Sequence, residues 1–378
     1  MMSNLIKRIG GGLALAVFSM LAHAEKELNL PPPVTEIARQ IYDLHTVTMW
    51  IIVAIAVVVY GGMFYSILKH RKSVGHKAAT FHHNTMVEII WTTIPLIILI
   101  VMAYPATKTV LAMRDTSRPD ITVKVTGYQW KWEYDYLPAE GAKDGFKFMS
   151  VLSTPRDQLD SKETKGSNYL LEVDNPMVVP VGKKIRVLLT ANDVIHAWWM
   201  PAFGVKQDAI PGFIRDTWFR ADKVGTFRGQ CAELCGKDHG YMPIVVEVKE
   251  QADYDMWLAD KKAKSAAASQ DANKVYSVAE LKTMGEKIYA DNCAGCHQPQ
   301  GEGMAPVFPA LKGSKVVNGS KAGVMNIVMN GKEGTAMPAF GKQMSDTDIA
   351  AVITFARNAW GNKAGDTVQS SEIKALRK

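Results

Sequence analysis

The sequence predicts a multidomain membrane protein in three parts: a two-helix transmembrane hairpin, a β-sandwich and a small all-α domain. Three observations carry this. Two long runs nearly free of charge come first, short alternating runs follow between about 111 and 250, and amphipathic helical patterns close the chain. The 378 residues leave room for two or three domains, and the 47% hydrophobic content is unevenly distributed among them.

Met1 to Ala24 carries Lys7 and Arg8, an apolar run from Ile9 and then Ala22-His-Ala24, which is the pattern of a cleaved secretory signal peptide. The run is short and rich in Gly and Ala, unlike a membrane span. Residues 25–110 hold the hairpin. Thr46 to Leu68 (46–68) contains no charge and as a helix would cover roughly 34 Å, enough for a bilayer core. Val87 to Thr107 (87–107) is the second span, interrupted by Glu88, Pro95 and Pro105. Lys69, Arg71, Lys72 and Lys77 lie between the two, so the positive-inside rule places this loop in the cytoplasm and everything after residue 110 outside it. Together with Lys7 and Arg8 these residues account for most of the formal +7 charge, so the basic balance is no sign of nucleic-acid binding.

Ile121-Thr-Val-Lys-Val-Thr126, Lys183 to Thr190 and Ile244-Val-Val-Glu-Val-Lys249 alternate as strands with Gly and Pro between them, which argues a sandwich over residues 111–260. Lys261 to Lys274 is low in complexity and reads as a hinge, giving a linker over 261–276. Residues 279–291 and 346–359 then form amphipathic helices, the second opened by Ser345 with Asp348 at the capping-box position. Gly285 and Tyr289 share one face, and Val352 and Phe355 another, so the helices are expected to cross where Gly285 allows close approach. The helical domain is drawn over 277–361, with 362–378 as a C-terminal tail.

Cys293-Ala-Gly-Cys296-His297 is the more specific of two metal signatures. Two thiols flanking two residues add to the two vinyl groups of a haem, and the adjacent histidine ligates its iron. A zinc knuckle would need a further Cys or His pair, and no later cysteine follows. Met337 is the expected second axial ligand, presented by a loop that Pro338 stiffens. Met325 and Met329, four apart, are expected to pack a helix face instead, and Met344 remains a competitor.

The other signature is Cys231-x3-Cys235-x3-His239-x2-Met242, preceded by His196. Two thiolates, two imidazoles and a thioether form a soft set that selects copper. A Cys231–Cys235 disulfide and a zinc site are the plainer alternatives, and neither accounts for His239, Met242 and His196 together.

Two resemblances follow from these residues. Residues 277–361, with their helix crossing, CxxCH motif and late Met, resemble the class I cytochrome c family, which implies that the Pro309 carbonyl, rather than that of Pro306, orients His297. Asp193-Val-Ile-His196, Asp208-Ala-Ile-Pro-Gly212 and Gly229 to Pro243 resemble subunit II of the haem-copper cytochrome c oxidases. That resemblance implies a cupredoxin fold and a dinuclear copper centre, CuA. Cys231 and Cys235 would bridge its metals, His196 and His239 cap them, Met242 ligate one and the Glu233 carbonyl the other. The Glu233 carboxylate would also reach a magnesium at the border with subunit I. Trp130, first in the aromatic run Gln129 to Tyr136, would receive electrons, and Glu88 would lie at the mouth of a proton pathway into subunit I. The family usually has His and Tyr where this chain has Tyr128 and Lys131, which sets a cation beside that electron-receiving patch. Asp135, Asp174 and Asp193 are where a docking patch for the donor is expected.

With the fused cytochrome domain the whole resembles a caa3-type subunit II. It would relay electrons from a cytochrome c donor through haem c and CuA to subunit I, where oxygen is reduced, with subunit III a further partner. The expected site is the bacterial inner membrane, with both redox domains on its outer side. A quinol-oxidase subunit II would lack the copper ligands. A membrane-anchored copper-delivery or thiol-redox protein is the alternative from another class, and the hairpin and the haem domain speak against it.

Overall fold

The computed structural model describes residues 29–77, 80, 82–138, 145–271, 274–341 and 343–377. The expected signal segment, 1–24, lies outside these. The chain divides into two compact units, Met1–Thr109 and Val110–Lys378.

In the first unit, α1 spans Glu36–Lys69 and α2 spans Thr85–Arg114, and both are long and apolar enough to cross a membrane. α1 begins ahead of the expected span at 46, because Thr35 caps it, accepting from the Ala38 amide. Its extra turns carry Glu36, Arg39 and Gln40, which are too polar for a bilayer core. Asn84 opens α2, its side chain accepting from the amides of Met86 and Val87, while Glu88 Oε1 accepts from the Asn84 amide at 3.3 Å. Glu88 therefore serves as part of a helix cap, at the negative-preferring end of the helix dipole.

The second unit opens with a sandwich of two five-stranded sheets. One has the order β3-β2-β1-β5-β8, formed by Phe146–Ser150, Lys131–Tyr136, Ile121–Tyr128, Ile185–Ala191 and Arg215–Phe219. The other has the order β4-β10-β9-β6-β7, formed by Met177–Pro180, Pro243–Lys249, Gly225–Cys231, His196–Met200 and Val205–Ala209. β1 runs parallel to β5, and β4 to β10, while the remaining pairs are antiparallel. In β5, residues Ile185, Val187 and Leu189 point inward and are buried, as the alternation requires. Trp132 and Tyr134 are fully buried, so this half of the aromatic run is sandwich core.

The segment expected to be a hinge is largely helical. α3 runs Gln251–Asp271 and is pinned to the sandwich by Trp257, which packs on Tyr136, Phe146 and Phe148. Lys261 lies over the Phe148 ring and donates to Asn175 Oδ1. The physical reason is that the Lys- and Ala-rich composition that looks like a linker is also a strong helix former.

The terminal domain contains α4 (Val278–Asn292), the short turn α5 (Ala294–His297), α6 (Lys321–Asn330), α7 (Asp346–Asn358) and α8 (Ser370–Leu376). Capping boxes at Ser277/Glu280 and Ser345/Asp348 start α4 and α7. The two helices cross at Gly285, where a Cβ would sit 2.2 Å from the Ala351 carbonyl oxygen. Met325 and Met329 are buried on α6. Residues 362–377 are not a free tail: Val368 and Ile373 are fully buried, and Asp366 pairs with Arg357. The Gln369 side chain exchanges two hydrogen bonds with the Tyr276 backbone, which closes the domain end to end.

Candidate metal centre

His196 sits at the start of β6, Cys231 at the end of β9, and the loop from Cys235 to Met242 connects β9 to β10. Neighbouring strand ends thus deliver every donor to one edge of the sandwich. The sulfurs of Cys231 and Cys235 are 3.9 Å apart, and both cysteines are free thiols. Cys231 Sγ lies 4.0 Å from His196 Nδ1 and 3.4 Å from the Glu233 carbonyl oxygen. Cys235 Sγ lies 3.4 Å from His239 Nδ1 and 3.5 Å from Met242 Sδ. Each ring thus turns its Nδ1 toward a sulfur. The ligand atoms of His196, Cys231 and Cys235 all lie within 4.8 Å of one another. Two neighbouring thiols, one flanked by an imidazole and a carbonyl and the other by an imidazole and a thioether, fit copper and leave no disulfide to compete.

The electrostatics suit metal loading. Sharing a hydrogen bond with Cys235 draws the Cys231 thiol well below its ordinary value, with His196 assisting, while Cys235 is pushed up. A thiol lowered in this way gives up its proton readily to a metal. Burial pulls the His196 imidazole down, but Asp193 and Cys231 more than offset this and its pKa is raised.

Asp193, Gln129 and Gly127, which sequence reasoning did not assign to this site, support it together with Trp130. Asp193 Oδ1 accepts from His196 Nε2 at 2.8 Å and its Oδ2 accepts from the Gln129 amide at 2.8 Å, so the carboxylate expected on a docking patch instead turns inward. The Gln129 side chain and Trp130 Nε1 both donate to the Cys235 carbonyl, at 2.8 and 3.2 Å. Gly127 lies flat against the His196 ring, where a Cβ would come within 2.8 Å of Cδ2. The Asp-x-x-His spacing across a strand start was the available signal for Asp193.

In the helical domain His297 Nδ1 donates to the Pro309 carbonyl at 2.8 Å, which leaves Nε2 for an iron. Burial lowers the His297 pKa, favouring the neutral ligand form. Burial also pushes the Cys293 thiol up to about 12 and raises Cys296, as suits cysteines that end as neutral thioethers. Met337 is half-buried in the loop after α6, its amide donating to Thr335 Oγ1 and its carbonyl accepting from the Lys332 amide. This donor set fits a covalent haem.

Residues 121–249 match the family described as cytochrome c oxidase subunit II, periplasmic domain, and residues 23–109 match the one described as its transmembrane domain. A probable cytochrome c oxidase subunit 2 of Rickettsia bellii (strain RML369-C) is 36% identical over 264 residues, 69% of this chain and 93% of that one. The chain belongs to the cytochrome c oxidase subunit II family. A subunit 2 of Cereibacter sphaeroides is 39% identical over 236 residues, covering 60% of this chain and 78% of that one. The periplasmic domain of subunit II of cytochrome oxidase (CoxB) of Bradyrhizobium japonicum is a similar solved structure, 46% identical over 40% of this chain and 99% of that one, with a TM-score of 0.35. Residues 280–355 match a separate family, cytochrome c oxidase, cbb3-type, subunit III, so a cytochrome c domain is fused behind the subunit II fold. The chain is thus a membrane-anchored component of an oxidoreductase complex with periplasmic domains. CuA copper and haem are its implied cofactors, and oxidase subunit I and a cytochrome c donor its implied partners.

Proposed function

We propose that this subunit passes electrons through a CuA centre held by His196, Cys231, Cys235, His239, Met242 and the Glu233 carbonyl, and a haem c held by Cys293, Cys296, His297 and Met337. The observation that carries this is the pair of Cys sulfurs 3.9 Å apart, with His196 Nδ1 beside Cys231 and both His239 Nδ1 and the Met242 sulfur beside Cys235. When bound, the two groups supply one-electron carriers between the donor and subunit I, where oxygen is reduced to water. The chain's own residues hold and orient. Asp193 fixes the His196 tautomer so that Nδ1 faces the sulfurs. Trp130, donating to the Cys235 carbonyl, lies one hydrogen bond from a cysteine that would hold the copper and suits the electron-receiving role. Pro309 holds the His297 ring in the orientation that frees Nε2.

The Glu233 carboxylate would supply a ligand for magnesium at the border with subunit I. Glu88, at the exposed N-terminal turn of α2, serves proton uptake into subunit I. Subunit III completes the partners, and the bacterial inner membrane is the location, with the Lys69–Lys77 loop cytoplasmic. Metal and haem analysis of the purified protein tests the reading: about two coppers and one acid-acetone-resistant haem per chain are expected, with Cys231→Ser removing the copper and Cys293→Ala plus Cys296→Ala the haem. Zinc in place of copper, or extractable haem, would refute it.

A further inference from the structure

Lys131 is the first residue of β2 and only 4% exposed, which is rare for a lysine. Its burial is completed by the cytochrome domain. Nζ donates to Asn292 Oδ1 at 2.5 Å and stands 5.4 Å from the centre of the Phe340 ring. Asn292 precedes haem-motif Cys293, and Phe340 follows Met337 by three residues. A second lysine repeats the arrangement. Lys237, between copper-loop residues Cys235 and His239, donates to the Gly295 carbonyl at 3.0 Å, inside the Cys293–Cys296 pair. Both copper-side cations therefore meet oxygens of the haem-attachment segment, one of them next to Trp130. Burial draws the Lys131 pKa down to about 8, so the side chain still carries its charge at neutral pH. A buried cation left without partners is costly, so the lysine belongs to a surface that is meant to be covered.

We propose that Lys131 and Lys237 are positioning residues, a latch that holds the chain's own cytochrome domain, residues 276–377, on the CuA loop and closes this face to other cytochromes. The proposal rests on the functional reading above, and deepens it by naming what occupies the face beside Trp130. The polarity fits this occupant. Two lysines face carbonyl and amide oxygens, whereas an incoming protein with a cationic docking face would meet like charge. The tether of α3 and residues 272–275 keeps the occupant at high local concentration, so two charge-assisted hydrogen bonds suffice to hold it.

The test uses the full-length subunit in the assembled oxidase, with Lys131→Met, which suits a buried position, and Lys237→Gln, singly and together. Amide hydrogen exchange over 292–296 should quicken in the double variant while the copper and haem spectra stay unchanged. Transfer of the single electron from ferrous haem to the oxidised copper pair, with no proton moved, should slow roughly tenfold for each lysine lost. Lys237→Arg should restore both readouts. An added soluble cytochrome with a cationic haem edge should reduce copper directly only in the double variant. Absence of copper or covalent haem from the unmodified protein would refute the functional reading. Both centres loaded, with exchange and transfer unaltered by either lysine, would overturn the latch, as would direct copper reduction by the added cytochrome in the unmodified protein.

Discussion

Replacing Asp193 by Asn should release copper without disturbing the haem. The carboxylate accepts from His196 Nε2 through Oδ1 and from the Gln129 amide through Oδ2, both at 2.8 Å. A carboxamide has only one oxygen, so in either orientation its NH2 faces a donor. Facing Gln129, it loosens the turn that carries Trp130. Facing His196, it favours the tautomer that puts the proton on Nδ1, the atom aimed at the thiols. His196 is fully buried, so water does not replace what is lost. A hydrogen bond to a charged group is worth about 1.5–3 kcal/mol, which translates to roughly 10- to 100-fold in copper affinity, the usual scale for the outer partner of a ligating histidine. Chelator competition followed by the copper absorption bands measures this, with the haem bands as internal control. Affinity within about twofold of the unmodified protein would show that Asp193 does not orient the ligand.

Gly285→Ala should destabilise the cytochrome domain by about 1–3 kcal/mol, since the new methyl falls on the Ala351 carbonyl. For a domain of this size each kcal/mol lowers Tm by about 4–8 °C, and an unchanged melt would refute the helix crossing. Met337→His should keep the haem attached and lower its reduction potential, because an imidazole favours the oxidised iron over a thioether does. A redox titration that moves with Met344→His instead would reassign the ligand. Hydrogen bonding from Arg357 holds the Asp366 pKa below the ordinary carboxylate range, so its stabilisation is present above the unfolded value, about 3.9, and is lost as pH falls through the folded one. Asp366→Asn should therefore lower stability at neutral pH by about 1 kcal/mol, given the partly exposed carboxylate, and the difference should shrink as acid protonates Asp366; a gap that is the same at neutral and at acid pH would refute the pairing.

Some features were legible because one local pattern determines them. Alternation in Ile121–Thr126 and Ile244–Lys249 specifies strands, Ser345 with Asp348 specifies a helix start, and Cys-x3-Cys brings two sulfurs together whatever surrounds them. Other features depend on a partner far along the chain, and composition misleads there. The stretch after Lys261 looks like a hinge, yet Trp257 and Lys261 anchor its helix on Phe148, more than a hundred residues away. Val368 and Ile373 are isolated apolar residues in a polar terminus, and only the finished helix crossing shows the space they fill.

The same contrast holds for Asp193 and Lys131. A charge in a sequence is expected to be solvated, and both lie beside the electron-receiving patch, so a docking role for each is the natural expectation. In the fold each charge turns inward to a specific partner: Asp193 to a copper-ligating histidine, Lys131 to the residue before the haem motif. A charged side chain removed from water is held there only by the group that compensates it. Once the burial of Asp193 and Lys131 is known, therefore, the chemistry of their partners follows: a ring N–H for the carboxylate, oxygen acceptors for the ammonium. What the linear order of residues lacks is the burial itself, because it arises between β2 and α4, at two residues 161 positions apart in the chain, Lys131 and Asn292.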